Sequence, residues 1–402
     1  MRSLLISENF PPKVGGTARL YWEIYSRLPR HELVVAAGED ALDGEFDRTH
    51  DLNVWRVPLG LTQYGLRSRT GLHGYFRAWR ALENVLRQNP VDVVHAGRVL
   101  PEAWLAWLLR WRRGLPYLCY VHGEDVNCYA ESRELRWMAR RALAGANTVI
   151  TSSRNARQLL LDQWALPEAK VQLLYPGVDT REFMPAESDE AARSTLGWQG
   201  RTVVLTVGRL QERKGQDMMI RALPEVREQV PNVLYSIVGD GADRGRLERL
   251  ARETGMEAHV QFRGEPNDGE LLKCYQQCEL FVLANRTVGR DFEGFGIVLL
   301  EAQACGKPVV AGASGGTAET MRPGATGMLV DCTSPAELAR TVVELLCDSQ
   351  RRRTMGHAAR AWVVERFDWE SLRHEAAAIF GTAAPRRSSE AAAVESTLEA
   401  AT

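Results

Sequence analysis

Two glutamates, Glu293 and Glu301, stand eight positions apart in DFEGFGIVLLEAQACGKPVVAG (291–312), at the two ends of an otherwise apolar run. Carboxylates accept hydrogen bonds from vicinal hydroxyls, and the free amides at a helix start bind phosphate. The pattern predicts a helix from about Phe295 to Cys305, stopped by Gly306 and Pro308. Glu293 then lies in the loop ahead of the helix and Glu301 in its second turn. Eight residues at about 100° each leave them about 80° apart, so they do not share a face. Between them lie the amides of Phe295, Gly296 and Ile297. Such a constellation suits a phosphorylated sugar with a ribose nearby. A buried helix with a capping acid accounts for Glu293 but not for Glu301.

Other stretches carry complementary chemistry. In VGRLQERKG (207–215), Arg209 follows a strand and Lys214 opens the next helix. Two cations around one βα loop can converge on a diphosphate, or can simply be a solvated basic loop. Of 50 Lys and Arg residues only five are lysines (Lys13, Lys170, Lys214, Lys273 and Lys307), which makes the lysine here informative. Gly15-Gly16 precedes an amphipathic stretch; it is either a tight βα turn or a place where backbone approaches an anion. SGGTAE (314–319) carries the same ambiguity. In YVHGED (120–125), His122 sits at a strand's carboxyl end, followed by Gly123 and two acids. It is either structural or aimed at a ligand.

The elements that must position these residues are short apolar runs alternating with amphipathic stretches. Strands are expected at 3–7, 32–37, 91–96, 117–123, 148–153 and 171–175, then at 202–208, 233–239, 259–264, 279–284 and 308–312. Helices are expected at about 17–28, 72–88, 101–112, 132–144 and 154–164 in the first half, and between strands in the second. Continuous apolar strands alternating with helices imply parallel sheets buried on both faces. The fold class is therefore α/β, with two Rossmann-like domains facing a cleft. We expect a first domain at 1–180, a linker at 181–200, a second domain at 201–365, a C-terminal helix at 366–381 returning to the first domain, and a disordered tail at 382–402. Ligands in open α/β sheets bind beyond the carboxyl ends of the strands, where these motifs cluster.

Composition narrows the classes. The 402 residues are 45% hydrophobic and 25% charged with net charge −1, which fits a globular protein and no general polyanion binder. Seven cysteines without a C-x-x-C pair fit a reducing cytoplasm and argue against a disulfide framework. No apolar run approaches the roughly 20 residues of a membrane span. The opening MRSLLIS is too short for a signal sequence.

The motifs GRLxxxKG (208–215), the E-x7-E pair, VGDG (238–241), YPGVD (175–179), HGED (122–125) and the early Gly-Gly resemble, in this order, retaining glycosyltransferases of family 4 with the GT-B fold. The stretches 213–226 and 286–321 look most like bacterial GDP-mannose-dependent α-mannosyltransferases of the phosphatidylinositol-mannoside type. The resemblance implies that Arg209 and Lys214 hold the donor diphosphate, with Gly16 approaching it from the first domain. It implies that Glu301 binds ribose, that Glu293 and the Phe295–Ile297 backbone hold the hexose, and that His122 flanks it. Arg263 and Gly264 would meet the base, largely through backbone. Asn9 falls where relatives place a polar or acidic residue near the acceptor, but an amide cannot serve as a general base. The resemblance further implies that no cofactor and no metal is needed, since two cations stabilise the leaving diphosphate; the chain contains no D-x-D. Alternatives are UDP-glucose or UDP-N-acetylglucosamine as donor, or a UDP-sugar 2-epimerase on the same fold.

The acceptor is expected to be a glycan or a lipid-linked molecule. From Arg56 to Arg113 there are ten arginines and no lysine against Glu83, Asp92 and Glu102. PEAWLAWLLRWRRG (101–114) aligns Trp104, Trp107 and Trp111 on one helical stripe with Arg110, Arg112 and Arg113 at its end. Residues 64–113 are therefore expected either to rest on an anionic membrane surface or to be ordinary core between strands. We expect a cytoplasmic protein, peripheral at the inner face of the plasma membrane, without nucleic acid as a partner.

Overall fold

The structure is a computed structural model that describes residues 1–382 except residues 14 and 131, together with the backbone but not the side chains of residues 124 and 125. The tail expected at 382–402 lies outside the described residues from 383 onward. Two parallel sheets organise the chain. The first contains β1 (Ser3–Ser7), β2 (Leu33–Gly38), β3 (Val54–Val57), β4 (Val93–Ala96), β5 (Tyr117–Val121), β6 (Thr148–Thr151) and β7 (Val171–Leu173) in the order β3-β2-β1-β4-β5-β6-β7. The second contains β8 (Thr202–Val207), β9 (Val233–Val238), β10 (Val260–Gly264), β11 (Leu280–Leu283), β12 (Val309–Gly312) and β13 (Gly327–Val330) in the order β10-β9-β8-β11-β12-β13. Pairing is parallel, for example Leu4 with Val34 on one side and Val94 on the other. Each order reverses once, at β1/β4 and at β8/β11.

The strands form because they are β-branched and buried throughout: every residue of β1, β2, β4, β5 and β6 is buried. In the second sheet alternate residues serve opposite faces. Val204, Tyr235, Leu280 and Val282 join one core with the helix Gln216–Gln229. Val203, Leu205, Phe281 and Leu283 join another with Trp198, Leu299 and Phe367. Helices on both faces of a twisted parallel sheet make a doubly wound, Rossmann-like body.

By contacts the chain divides into two compact units, Met1–Tyr120 with Trp137–Ile150 and Ala376–Thr402, and Val121–Arg136 with Thr151–Glu375. The last helix, Trp369–Thr382, ends in the first unit. There Phe380 lies 4.6 Å from the His95 ring and stacks on Tyr25 at 5.8 Å, and Thr382 bonds Thr148. Burial pushes the His95 pKa down to about 3, and Tyr25 Oη meets its Nδ1 at 2.7 Å. Among the described residues no helix is long and apolar enough to cross a membrane.

Candidate active site

In the second unit three glycines end three neighbouring strands. Gly208, Gly239 and Gly264 follow or close β8, β9 and β10, and a Cβ on Gly239 would meet the Gly208 carbonyl. The Gly239 amide donates to Gly264 O at 2.7 Å, so bare backbone lies where a ligand would rest. Arg209 follows at once and is exposed, and its carbonyl accepts from Gln216 Nε2 at 3.2 Å. Lys214 does not open the next helix. It ends a 3-10 turn, Glu212–Lys214, and the helix starts at Gln216 after Gly215. Gly215 has φ +74° and a Cβ there would enter the Ala284 carbonyl, so the chain must break its turn at this point. The turn lays the end of the Lys214 side chain about 4.0 Å from where a Gly208 Cβ would be.

Glu293 is buried between two cations. Lys214 Nζ stands 2.5 Å and Arg213 Nη1 2.7 Å from its Oε2. Burial works to raise its pKa, but Lys214 first and Arg213 second outweigh it and hold the carboxyl below the usual range. Arg213 also lies 3.1 Å from Asp291. The sequence reading missed Arg213; its only signal was adjacency to Lys214 in a strand-end loop. A further cation, Arg286, is locked by a two-point pair with buried Asp217 at 2.8 and 2.9 Å. Arg213 and Lys214 thus face Glu293, and Arg213 also faces Asp291, while Arg209 stands exposed in the same strand-end loop. An arriving diphosphate would draw on the cations that these carboxylates hold in place.

The backbone around Glu293 is wrapped by two other loops. The Gly316 amide donates to Glu293 O at 2.9 Å, and a Cβ on Gly294 would stand 2.6 Å from His122 O. Asn127 Nδ2 donates to Arg290 O at 2.9 Å. The structure therefore brings the backbone of half-buried His122 against Gly294, the residue after Glu293. SGGTAE acts here as packing: Glu319 accepts from the amides of Arg154 and Asn155 at 2.8 and 3.1 Å and from Tyr175 Oη at 2.9 Å.

The helix expected from Phe295 spans Ile297–Ala304, with Gly296 at φ +94° as its N-cap. Leu299 N returns to Gly296 O at 2.9 Å, which leaves the preceding amides beyond the helix end for a phosphate or hydroxyl. Phe295 is buried against Tyr175 and Phe367. Glu301 is buried in the second turn, where Tyr275 Oη donates to its Oε2 at 2.5 Å. Arg263 is taken up locally: it donates to Leu196 O at 2.8 Å, pairs with Glu270 and covers the Trp198 ring.

The remaining predicted residues belong to the first unit. Gly16 is the first residue of the helix Gly16–Tyr25, exposed and preceded by Gly15 at φ +149°. Asn9 is half-buried just past β1, and its carbonyl accepts from Ser7 Oγ at 2.9 Å. The tryptophan stripe is divided. Trp104 is buried and packs on Trp107 and Trp137 at 4.8 and 5.5 Å, while Trp111 is 80% exposed. Arg110 bonds Gly145 O and Asn147, and Arg113 pairs with Glu83. The helix Arg69–Gln88 carries exposed Leu72 (57%) and Phe76 (55%) one turn apart, with Arg69, Arg77 and Arg80 around them. Among the described residues no group of three or more His, Cys, Asp or Glu is arranged to hold a metal ion.

The geometry has counterparts. Residues 188–362 match the model for glycosyl transferases group 1, and residues 14–182 that for Glycosyltransferase Family 4. The chain is 35% identical, over 92% of its length and 95% of the relative's, to the GDP-mannose-dependent alpha-(1-6)-phosphatidylinositol monomannoside mannosyltransferase of Mycolicibacterium smegmatis. It is 32% identical, over 92% and 95%, to the GDP-mannose-dependent monoacylated alpha-(1-6)-phosphatidylinositol monomannoside mannosyltransferase of Corynebacterium glutamicum. Its fold is similar to that of Anabaena Alr3699/HepE in complex with UDP-glucose, with TM-score 0.80, 22% identity and coverage of 95% of this chain and 100% of that one. With matches spanning both halves, the chain belongs to family 4 of the GT-B glycosyltransferases, enzymes that move a sugar from a nucleotide-sugar donor to an acceptor.

Proposed function

We propose that this chain is a retaining, metal-independent α-mannosyltransferase that uses GDP-mannose and glycosylates a hydroxyl of a lipid-linked acceptor of the phosphatidylinositol-mannoside type. The observation that carries the reading is identity of 35% and 32% over nine-tenths of the chain to relatives with those donors and acceptors in their names. The solved structure with UDP-glucose is 22% identical and speaks for the fold alone.

In this reading the bond between the anomeric carbon and the diphosphate oxygen breaks through a cationic, sugar-like transition state. Arg209 and Lys214, with Arg213 beside them, stabilise the departing diphosphate, which is where preorganised cations have most effect. Glu293 and the amides of Phe295, Gly296 and Ile297 hold the mannosyl hydroxyls, and His122 flanks them. Glu301, oriented by Tyr275, takes the ribose hydroxyls, and Gly264 with the backbone of Arg263 meets the guanine. The acceptor oxygen bonds to the anomeric carbon on the face the diphosphate leaves, and its proton passes to the leaving phosphate oxygen. Asn9 lies on the acceptor side as a hydrogen-bonding group, without proton transfer.

The enzyme works in the cytoplasm at the inner membrane face. Its contact is the helix Arg69–Gln88, whose Leu72 and Phe76 enter the interface while its arginines meet anionic headgroups. The test is thermal stabilisation by GDP, UDP and ADP, followed by transfer from GDP-mannose. A nucleotide at a hundred times its Kd adds about 2.7 kcal/mol. Stabilisation by GDP and GDP-mannose alone is expected. Stabilisation by UDP compounds instead would keep the family and sink the mannosyl reading.

A further inference from the structure

The donor reading occupies the strand-order reversal of the second sheet, β8/β11. The first sheet has its own reversal, at β1/β4, where the reading above uses Asn9 but leaves the charged side chains without a role. Ligands of open α/β sheets bind beyond the carboxyl ends of the strands at such a reversal. Glu8 is the first residue past β1, and Arg98 the second past β4. The two side chains form an ion pair there. Arg98 Nε reaches both oxygens of buried Glu102 at 3.1 and 3.0 Å, and the Glu8 amide donates to the same carboxylate at 3.0 Å. The Tyr64 ring supports the guanidinium at 5.8 Å.

Neighbouring strand ends are shaped around Glu8. A Cβ on Gly38, which closes β2, would stand 2.6 Å from Glu8 O and 3.1 Å from its Cγ, so only glycine lets the glutamate lie across that strand end. The loop after β3 passes at Gly60, where a Cβ would be 3.6 Å from Glu8 Oε1. Lys13 Nζ stands 3.8 Å away, beyond a hydrogen bond. A carboxylate has about four acceptor positions. Arg98 meets Oε2, and the Glu8 side chain remains about a fifth exposed. Stability gives little reason for such a cluster, since apolar replacement of buried ion pairs is often neutral or favourable.

We propose that Glu8, braced by Arg98 and Glu102, binds hydroxyls of the acceptor, a polyhydroxylated ring, and that Lys13 meets a phosphate on the same ring. The proposal rests on the transferase reading above and assigns its acceptor side. Glu8 is a binding and specificity residue; Arg98 and Glu102 position it.

The experiment measures KM for phosphatidylinositol monomannoside in mixed micelles and KM for GDP-mannose, in wild type, Glu8→Gln and Glu8→Asp. Loss of charge-assisted hydrogen bonds should raise the acceptor KM about ten- to a hundredfold in Glu8→Gln, with partial rescue in Glu8→Asp. The donor KM should move less than about twofold. If Glu8→Gln does not fold, Gly60→Ala sets a methyl in van der Waals contact with Oε1 while keeping Glu8, Arg98 and Glu102, and should raise the acceptor KM as well. An unchanged acceptor KM, or equal movement of both constants, overturns the proposal. If wild type does not use this acceptor, the reading of the acceptor fails separately. Thermal stabilisation by myo-inositol, myo-inositol 1-phosphate and methyl α-mannoside then decides. A shift that Glu8→Gln abolishes upholds the site, and no shift with any of them removes it.

Discussion

Lys214→Ala removes the ammonium 2.5 Å from Glu293 Oε2 and leaves Arg213, at 2.7 Å, as that carboxylate's remaining close cation. Breaking a buried pair outright costs about 3–5 kcal/mol. Because one cation stays, we expect about 1–3 kcal/mol here, a fall in Tm of several degrees at about 2–4 °C per kcal/mol. The catalytic effect should be separate and larger. Losing one preorganised charge on the leaving diphosphate lowers turnover about 10²–10³-fold, or about 3–4 kcal/mol of barrier at 1.36 kcal/mol per tenfold. Initial rates of GDP release from GDP-mannose, with melts in the same buffer, measure both.

The pH dependence adds a check on cause. A carboxyl whose native pKa is depressed contributes stability above its unfolded value, near 4.3, and loses it as pH falls through the native value. Lys214 is the stronger of the two cations that lower Glu293, and burial opposes them. In Lys214→Ala the native pKa must therefore rise, and the acid-side loss of stability must begin at higher pH than in wild type. Near-normal turnover would refute the leaving-group role. An unmoved acid limb would refute the electrostatic account of the buried pair.

Three other outcomes are expected. Tyr275→Phe removes the donor to Glu301 Oε2; it should cost about 1–3 kcal/mol and raise the KM for GDP-mannose severalfold, read by melts and kinetics. Leu72→Ser with Phe76→Ser should weaken co-sedimentation with anionic liposomes at least tenfold while turnover of soluble donor persists, and wild-type binding should fall with salt. His95 is neutral in the fold, with its pKa lowered to about 3. The unfolded chain takes up that proton near 6.5, so stability from this residue is complete above pH 6.5 and drains away towards pH 3. Melting in a pH series should show a loss on the order of a few kcal/mol that His95→Asn abolishes.

Much of this was legible because the strands are apolar throughout. TVVLTV, VLYSIV and SLLIS emerge within a residue of their expected bounds. The two strands that escaped, β3 and β13, are both sheet edges. VWRV is only partly buried and carries an arginine, and GMLV begins with glycine, so neither stands out by composition. The helix start at Ile297 was displaced by Gly296, whose positive φ no periodicity reveals. The loops hid more. Arg213 pairs with a residue 80 positions away, and Glu8 with one 90 positions away, which short-range patterns do not register. Trp104 and Trp111 share a stripe in sequence, yet Trp137, from another helix, buries one and leaves the other bare.

The helix Trp369–Thr382 has a consequence for biosynthesis. The first unit receives residues 376–382 only after its other pieces, which end at Ile150, have long left the ribosome. At about 5–20 residues per second, the 230 residues from 150 to 380 take roughly 10–50 s to translate. Throughout that interval the surface formed by His95 and Tyr25 awaits Phe380. A nascent first sheet must therefore persist with an open flank, which makes it a natural client for chaperones during synthesis. A fragment stopped before Phe380 would carry that uncovered flank permanently.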